Sequence, residues 1–222
     1  EIEVHTRNAR THFGRFEATF GEDERPDNDE APDPAQICAI EELVKVDTNP
    51  YADFAVFGPH FKRSQKAMRF TAQILSPDGS LKTEEIRGPP NFDIWGLCYQ
   101  VWINLSLMVD LIMLGTLAKY NKKIAKYDRL WGKECWAIIY QADVRFRLEL
   151  VEQLAVDEQV KAEKEGTEVP PKRWARAWAK GLMQDKWWKE QVEDPCQAFK
   201  LKLRPLSQIL GGDAPVAEDP AS

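Results

Sequence analysis

The feature that most constrains this chain is a long apolar stretch at 92–114, FDIWGLCYQVWINLSLMVDLIML. Asn91 is a suitable N-cap before it and Gly115 a suitable stop after it, which predicts one helix over 92–114. Apolar residues cover nearly every face after Trp102. A helix that is apolar all round is buried, either inside a protein or inside a membrane.

The polar residues in this stretch favour a protein core over a membrane. The segment 95–114 is about as long as a membrane span requires. However, a carboxylate such as that of Asp110 costs on the order of 3 kcal/mol near the centre of a bilayer. We therefore predict a buried core helix and no membrane contact. Gln100 and Asn104 lie four residues apart, on the same face as Gly96, so this stripe is predicted to face other polar groups.

Composition divides the chain into three regions. Residues 1–32 are predicted to form a disordered acidic arm, because 21–30 is densely charged and has almost nothing to bury. The aromatics Phe13, Phe16 and Phe20 leave open that part of this arm docks elsewhere. Residues 33–200 are predicted to form a helical domain, and 201–222, rich in Gly, Pro, Ala and Asp, a flexible tail.

Within 33–200 the patterns predict a mainly α fold, a bundle of four to five helices with one small β-hairpin. Asp33, Pro34 and Gln36 form a capping-box pattern that opens the first helix. The hairpin is predicted at 70–86, because two strand-like runs flank SPDGS, in which Pro and Gly favour a turn. Apolar residues at helical spacing predict the other main helices, at 92–114, 116–131, 134–164 and 172–193. The basic segment at 60–68 leaves open a further short helix.

The charge pattern bears on nucleic acid. A formal net charge of -6 argues against a dedicated duplex-DNA binder. Local basic segments could still follow the phosphates of an RNA. Solvated helix faces on an acidic chain are the alternative. The residues of this candidate patch are Lys62, Arg63, Lys66, Arg69, Lys122, Lys123, Lys126, Lys172, Arg173 and Arg176.

The segment QADVRFRLE at 141–149 is a candidate polar network. Asp143 with Arg147, and Arg145 with Glu149, are spaced four apart, which favours ion pairs on a helix. They are either ordinary helix pairs or a network between helices or subunits. Motifs of nucleophilic, phosphate-binding or zinc-dependent enzymes are missing from the sequence. We therefore predict no catalytic residue, no cofactor, no metal and no small-molecule ligand.

Tryptophans and cysteines complete the candidate set. Trp174, Trp178 and Trp188 recur at helical spacing and are predicted to be core, whereas Trp187 lies off that stripe and is a candidate partner surface. The four cysteines form no C-x-x-C pair and have no histidine at metal-ligand spacing. Buried reduced thiols are the prediction, with disulfides as the alternative. Reduced thiols favour an intracellular protein, cytoplasmic or nuclear.

Three ordered motifs carry a family resemblance: NPYADFAVFGP at 49–59, GPPNFDIW at 88–95 and WAIIYQADVR at 136–145. Over about 49–195 the chain resembles an uncharacterised, multicopy family of predicted proteins in dinoflagellate genomes. Members resemble the Gag-like part of retroelement open reading frames, often followed by a Cys- and His-rich knuckle that this sequence lacks. The resemblance implies a non-enzymatic structural protein that forms homo-oligomers. A host helical adaptor or nucleic-acid-associated module is the alternative.

Overall fold

The computed structural model describes residues 2–58 and 67–203. It is mainly helical with one antiparallel hairpin, so the predicted fold class is confirmed. Two π-helical turns, Phe146–Leu150 and Lys189–Glu193, connect consecutive helices in the second half of the chain. The elements are α1 (Ile2–Phe20), α2 (Pro34–Lys45), β1 (Arg69–Leu75), β2 (Leu81–Arg87), α3 (Phe92–Met108), α4 (Leu114–Trp131), α5 (Trp136–Arg145), α6 (Val151–Glu165), α7 (Arg173–Leu182), α8 (Asp185–Trp188) and α9 (Asp194–Leu203).

Helix α3 lies at the centre of the main core, as its composition predicts. Trp95, Trp102 and Tyr99 on this helix are at most 2% exposed, and the rings of Trp95 and Tyr99 stack 4.7 Å apart. Aromatic residues from the surrounding elements complete the core: Phe54, Tyr120, Tyr127, Tyr140, Phe146, Trp178 and Trp188. Within the described residues, no helix is both long enough and apolar enough to cross a membrane.

The predicted end of this helix, at 114, is wrong. Helix α3 stops at Met108, where Asp110 adopts the left-handed conformation with φ 51°. The Leu111 N–H donates to the Ser106 carbonyl at 2.8 Å, the bond of a Schellman motif. Leu111 follows the cap and is itself buried, so the apolar pattern continues across the break. Gly115 consequently lies inside α4, rather than between two helices.

The boundaries of the last predicted helix, 172–193, also need correction. The chain breaks at Met183 between α7 and α8, and the helix that follows runs past Pro195 to Leu203. Proline is tolerated in the first turn of a helix, where its missing N–H has no helical partner. Pro195 is the second residue of α9, directly after a π turn, in which the hydrogen bonds join residues five apart instead of four.

The arm differs from the predicted disorder, because residues 2–20 form α1. Phe16 is 6% exposed and packs with Ile37 and Met108 in a small cluster separate from the main core. His12 lies between the Met108 carbonyl and the Glu41 carboxylate, at 3.2 and 3.3 Å. The burial of Phe16 and His12 thus orders part of a region for which the charge density predicts disorder. The polar stripe on α3 also finds its partner here, since Asn104 donates to the Glu30 carbonyl.

The hairpin and the first capping box form as predicted. Asp33 and Gln36 exchange both hydrogen bonds of the box, and β1 pairs with β2 from Arg69 opposite Arg87 to Leu75 opposite Leu81. The hairpin packs on α5, where Tyr140 fits so closely over Gly88 that any Cβ there would lie 2.0 Å from its ring. The short helix left open at 60–68 falls mostly on residues 59–66, and most of the predicted tail on 204–222, all outside the described residues.

Candidate functional site

The centre of the candidate polar network is a buried ion pair. Asp143 on α5 is 0% exposed and Arg147, in the first π turn, is 2% exposed. The Arg147 Nε donates to both carboxylate oxygens, at 3.1 and 3.2 Å, and its Nη2 donates to one of them at 2.7 Å. This bidentate geometry is that of the strongest arginine–carboxylate contacts. The predicted spacing of four residues therefore brings this pair together.

Groups distant in sequence saturate the pair. The Tyr120 hydroxyl on α4 donates to the Asp143 carboxylate at 2.7 Å, and the Arg147 Nη1 donates to the Ala52 carbonyl. The Arg147 guanidinium also lies 3.8 Å from the centroid of the Phe54 ring, a cation–π contact. The network thus connects the loop at 51–57 and α4 to α5 and the π turn that follows it.

The pKa values of the network follow from its depth. Burial raises the pKa of Tyr120 well above its ordinary value of 10.0, and the negative charge of Asp143 adds to the effect. Burial opposes the charge on Arg147, but the attraction and hydrogen bonds of Asp143 outweigh it and raise the pKa of the guanidinium. The tyrosine is thus held neutral and the arginine charged. The arrangement is a fixed anchor rather than a group poised to exchange a proton near neutral pH.

The second predicted pair, Arg145 with Glu149, is not formed within the described residues. The first π turn begins directly after Arg145, and in it the Val151 N–H bonds to the Phe146 carbonyl five residues back. Arg145 donates instead to Gln191, in the second π turn, at 2.6 Å. Asn49 donates to the carbonyls of Arg147 and Leu148, which the widened turn leaves available. Within the described residues Glu149 joins no ion pair and is not part of the network.

Tyr120, Ala52 and Asn49 escaped the sequence analysis. Their partners lie 23, 95 and 98 or more residues away along the chain, so no local spacing marks them. Among the residues the structure describes, no group of three or more His, Cys, Asp or Glu is arranged to hold a metal ion.

The candidate basic patch separates into paired and unpaired cations. Arg69, Arg173 and Arg176 bind Glu85, Asp47 and Glu158, and Lys172 binds Asp110. Lys123 is half-buried, donates to the Leu182 carbonyl and lies over the Trp188 ring. Lys122 and Lys126 on α4 are exposed, and so are Lys119 and Arg129 on the same face. Lys62, Arg63 and Lys66 lie outside the described residues.

Trp187, the candidate partner residue, lies in α8, close to the corner at which α7 ends and α8 begins. Its ring is half-buried and packs edge-on against Trp188 and Phe146, at centroid distances of 4.9 and 6.0 Å. Met183, four residues earlier, is 80% exposed, the largest exposed fraction among the large apolar side chains that the structure describes. We call Met183, Asp185, Lys186 and Trp187 the α7–α8 corner.

All four cysteines are buried and unbridged, as predicted. Comparisons with protein-family models, curated proteins and solved structures found no match to this chain.

Proposed function

We propose that this chain is a non-enzymatic structural protein that associates with copies of itself, which is the role implied by its Gag-like resemblance. The observation that carries the proposal is the α7–α8 corner, where an almost fully exposed methionine lies beside a half-buried tryptophan. Tryptophan and methionine are enriched in the centres of protein interfaces, and a few such residues supply most of the binding energy.

The charges at this corner suit a second copy of the same chain. Asp185 and Lys186, which are adjacent in sequence, have side chains 96% and 87% exposed, and each forms a long ion pair within its own chain, with Lys123 and with Glu190, both at 3.7 Å. Around a two-fold axis, the surface of one subunit meets the same surface of the other, so each aspartate can approach the lysine of its partner. An apolar centre flanked by both signs of charge is therefore self-complementary.

Sedimentation velocity over a range of concentrations tests the proposal. Replacing Met183 with Glu (Met183→Glu) introduces two like charges at the centre of a two-fold contact without disturbing the core, so the dissociation constant should rise at least about tenfold. The matched control is Met113→Glu, at another exposed methionine, 61% exposed, at the N-terminus of α4, where a carboxylate is tolerated. A wild-type chain that stays monomeric at high concentration, or equal effects of the two variants, would overturn the proposal.

A second candidate function, nucleic-acid association, is favoured by one observation on α4. Lys119, Lys122, Lys126 and Arg129 form a line along its exposed face, about 15 Å long at the helical rise. Within the described residues none of these four cations forms an ion pair, whereas the other basic clusters are largely neutralised. Unpaired cations in a row can follow the phosphates of a single strand.

Titration of a single-stranded RNA at several salt concentrations distinguishes this candidate. The double variant Lys122→Glu/Lys126→Glu should weaken binding and lower the slope of log K against log salt by about 0.7 for each phosphate that the lysines no longer neutralise. The control Lys161→Glu/Lys164→Glu makes the same charge change on α6. Salt-independent binding, or equal losses in both variants, would rule out a role of the α4 line.

A further inference from the structure

Two of the buried cysteines face each other. Cys135 ends the 3-10 turn Lys133–Cys135 just before α5, and Cys196 is the third residue of α9; both are 0% exposed. The two thiols are close enough that each is the largest influence on the pKa of the other. The turn before α5 packs against α9. These are sulfurs from chain segments 61 residues apart, brought together by the fold.

A neighbouring ion pair holds the two segments in register. Lys200 lies one helical turn after Cys196, and its Nζ is 3.1 Å from the carboxylate of Glu134, the residue before Cys135. The contact between α9 and the start of α5 therefore consists of an ion pair and a pair of thiols that lie next to each other. Because Cys196 and Lys200 share a face of α9, the ion pair of Lys200 also brings Cys196 close to Cys135.

The two thiols are not equivalent. The neighbouring Cys196 thiol and the charge of Lys200 lower the pKa of the Cys135 thiol, and together they outweigh its burial and the charge of Glu134. Cys196 takes the opposite effect, since its contact with Cys135 and its burial raise its pKa. The geometry thus supplies one sulfur suited to attack and a second that stays protonated beside it.

We propose that Cys135 and Cys196 form a reversible redox pair that a peroxide converts into a disulfide. The Cys135 thiolate attacks hydrogen peroxide, forming the sulfenic acid and releasing hydroxide, which takes up a proton to give water. The Cys196 sulfur then displaces the hydroxyl group of the sulfenic acid, forming the S–S bond and a second water. Overall, two thiols and one peroxide give one disulfide and two waters. A dithiol reductant restores the thiols and is itself oxidised to its disulfide.

The bond would lock α9 onto the start of α5. Leu201 and Leu203 on α9 are 50% and 40% exposed. Local opening of α9 would give peroxide access to the buried pair. The disulfide would close a loop that contains α6, α7 and the α7–α8 corner, so oxidation would restrict the unfolded chain and raise the melting temperature by several degrees.

The test treats the full reduced chain with stoichiometric hydrogen peroxide. We expect intact-mass analysis to show loss of two hydrogens, peptide mapping to identify a Cys135–Cys196 link, and dithiothreitol to reverse both changes. Cys135→Ser and Cys196→Ser should each abolish the link, whereas Cys38→Ser, which leaves the pair in place, should keep it. Circular dichroism of each variant establishes that it is folded, and an unfolded serine variant is replaced by the alanine variant.

Three outcomes would overturn the proposal. One is that the folded wild-type chain keeps four alkylatable thiols after oxidation. Another is that the link joins a different pair of cysteines. The third is that Cys135 accumulates as sulfinic acid while Cys196 remains a free thiol, because this would show that the second sulfur does not reach the first.

Discussion

Two arginines of this protein bind carboxylates with nearly the same geometry in very different surroundings. In the core, Arg147 donates through Nε and Nη2 to Asp143. At the surface between α6 and α7, Arg176 donates through the same two nitrogens to Glu158, at 2.6 to 3.1 Å. The core side chains are 0% and 2% exposed, whereas those of Glu158 and Arg176 are 14% and 27% exposed.

The comparison indicates that burial, rather than contact geometry, determines how much the fold depends on each ion pair. At the surface, water solvates either partner when the other is removed, so the pair adds little to stability. In the core, a partner left alone has no water and keeps the whole cost of its desolvation. The core pair is therefore a requirement of the fold, and the surface pair a modest addition to it.

Removing the Asp143 carboxylate should have the largest effect. In Asp143→Ala, the Arg147 guanidinium loses its counter-ion at 2% exposure, and the Tyr120 hydroxyl loses its acceptor. We expect the free energy of unfolding to fall by about 3–5 kcal/mol. Urea unfolding followed by tryptophan fluorescence and by circular dichroism measures the change.

The matched control removes the whole network at once. The triple variant Tyr120→Phe/Asp143→Leu/Arg147→Met replaces all three polar side chains with apolar ones of similar size. It should recover at least half of the loss, because no buried charge is left unpaired. A single Asp143→Ala variant that loses less than about 1 kcal/mol would contradict the argument from burial.

The sequence predicted the core pair only as far as local spacing reaches. The four-residue separation of Asp143 and Arg147 indicated an ion pair, but the same rule applied to Arg145 and Glu149 failed at the π turn. The four-residue spacing could not predict that the pair is buried, because the burial comes from Tyr120 and the loop at Ala52, which only the folded chain brings near.

The sequence predicted correctly those features of the fold that depend on residues close together in the chain. The capping box at Asp33 and the turn between β1 and β2 formed as predicted, because each is satisfied by neighbours in sequence. The stop at Asp110 was missed, because aspartate is an uncommon left-handed cap in an unbroken apolar run. The docking of Phe16 was left open, because it depends on Ile37 and Met108, which lie far away in sequence.

Replacing Glu158 with Gln should have an intermediate effect. The hydrogen bond from Arg176, helped by that from Lys180, lowers the pKa of Glu158 from its ordinary 4.5 to about 2. At neutral pH we expect Glu158→Gln to lose about 1 kcal/mol, because Lys180 is half exposed and water screens the cluster. The control is Asp157→Asn, at an exposed neighbour that joins no ion pair in the described part of the chain, and it should change little.

The pH dependence of this loss gives the sign of the effect. Since folding lowers the pKa, the unfolded chain binds the proton first, and the stabilisation is fully present above about pH 4.5. It disappears as the pH falls towards 2. The difference in unfolding free energy between wild type and Glu158→Gln should therefore be constant from pH 7 to 5 and shrink below pH 4.5. A difference that grows on acidification would show that the carboxylate is not stabilised by the two cations.

The smallest effect is expected at the hairpin, where a third pair has a short contact and no burial. The Arg69 Nη1 lies 2.6 Å from the Glu85 carboxylate, yet the two side chains are 58% and 59% exposed. If burial sets the magnitude, Glu85→Gln should change the unfolding free energy by less than about 0.5 kcal/mol, and added salt should remove even that. Urea unfolding at low and high salt measures both values. A salt-independent loss above about 1 kcal/mol would show that a short contact suffices without burial, and the comparison between Arg147 and Arg176 would then need another explanation.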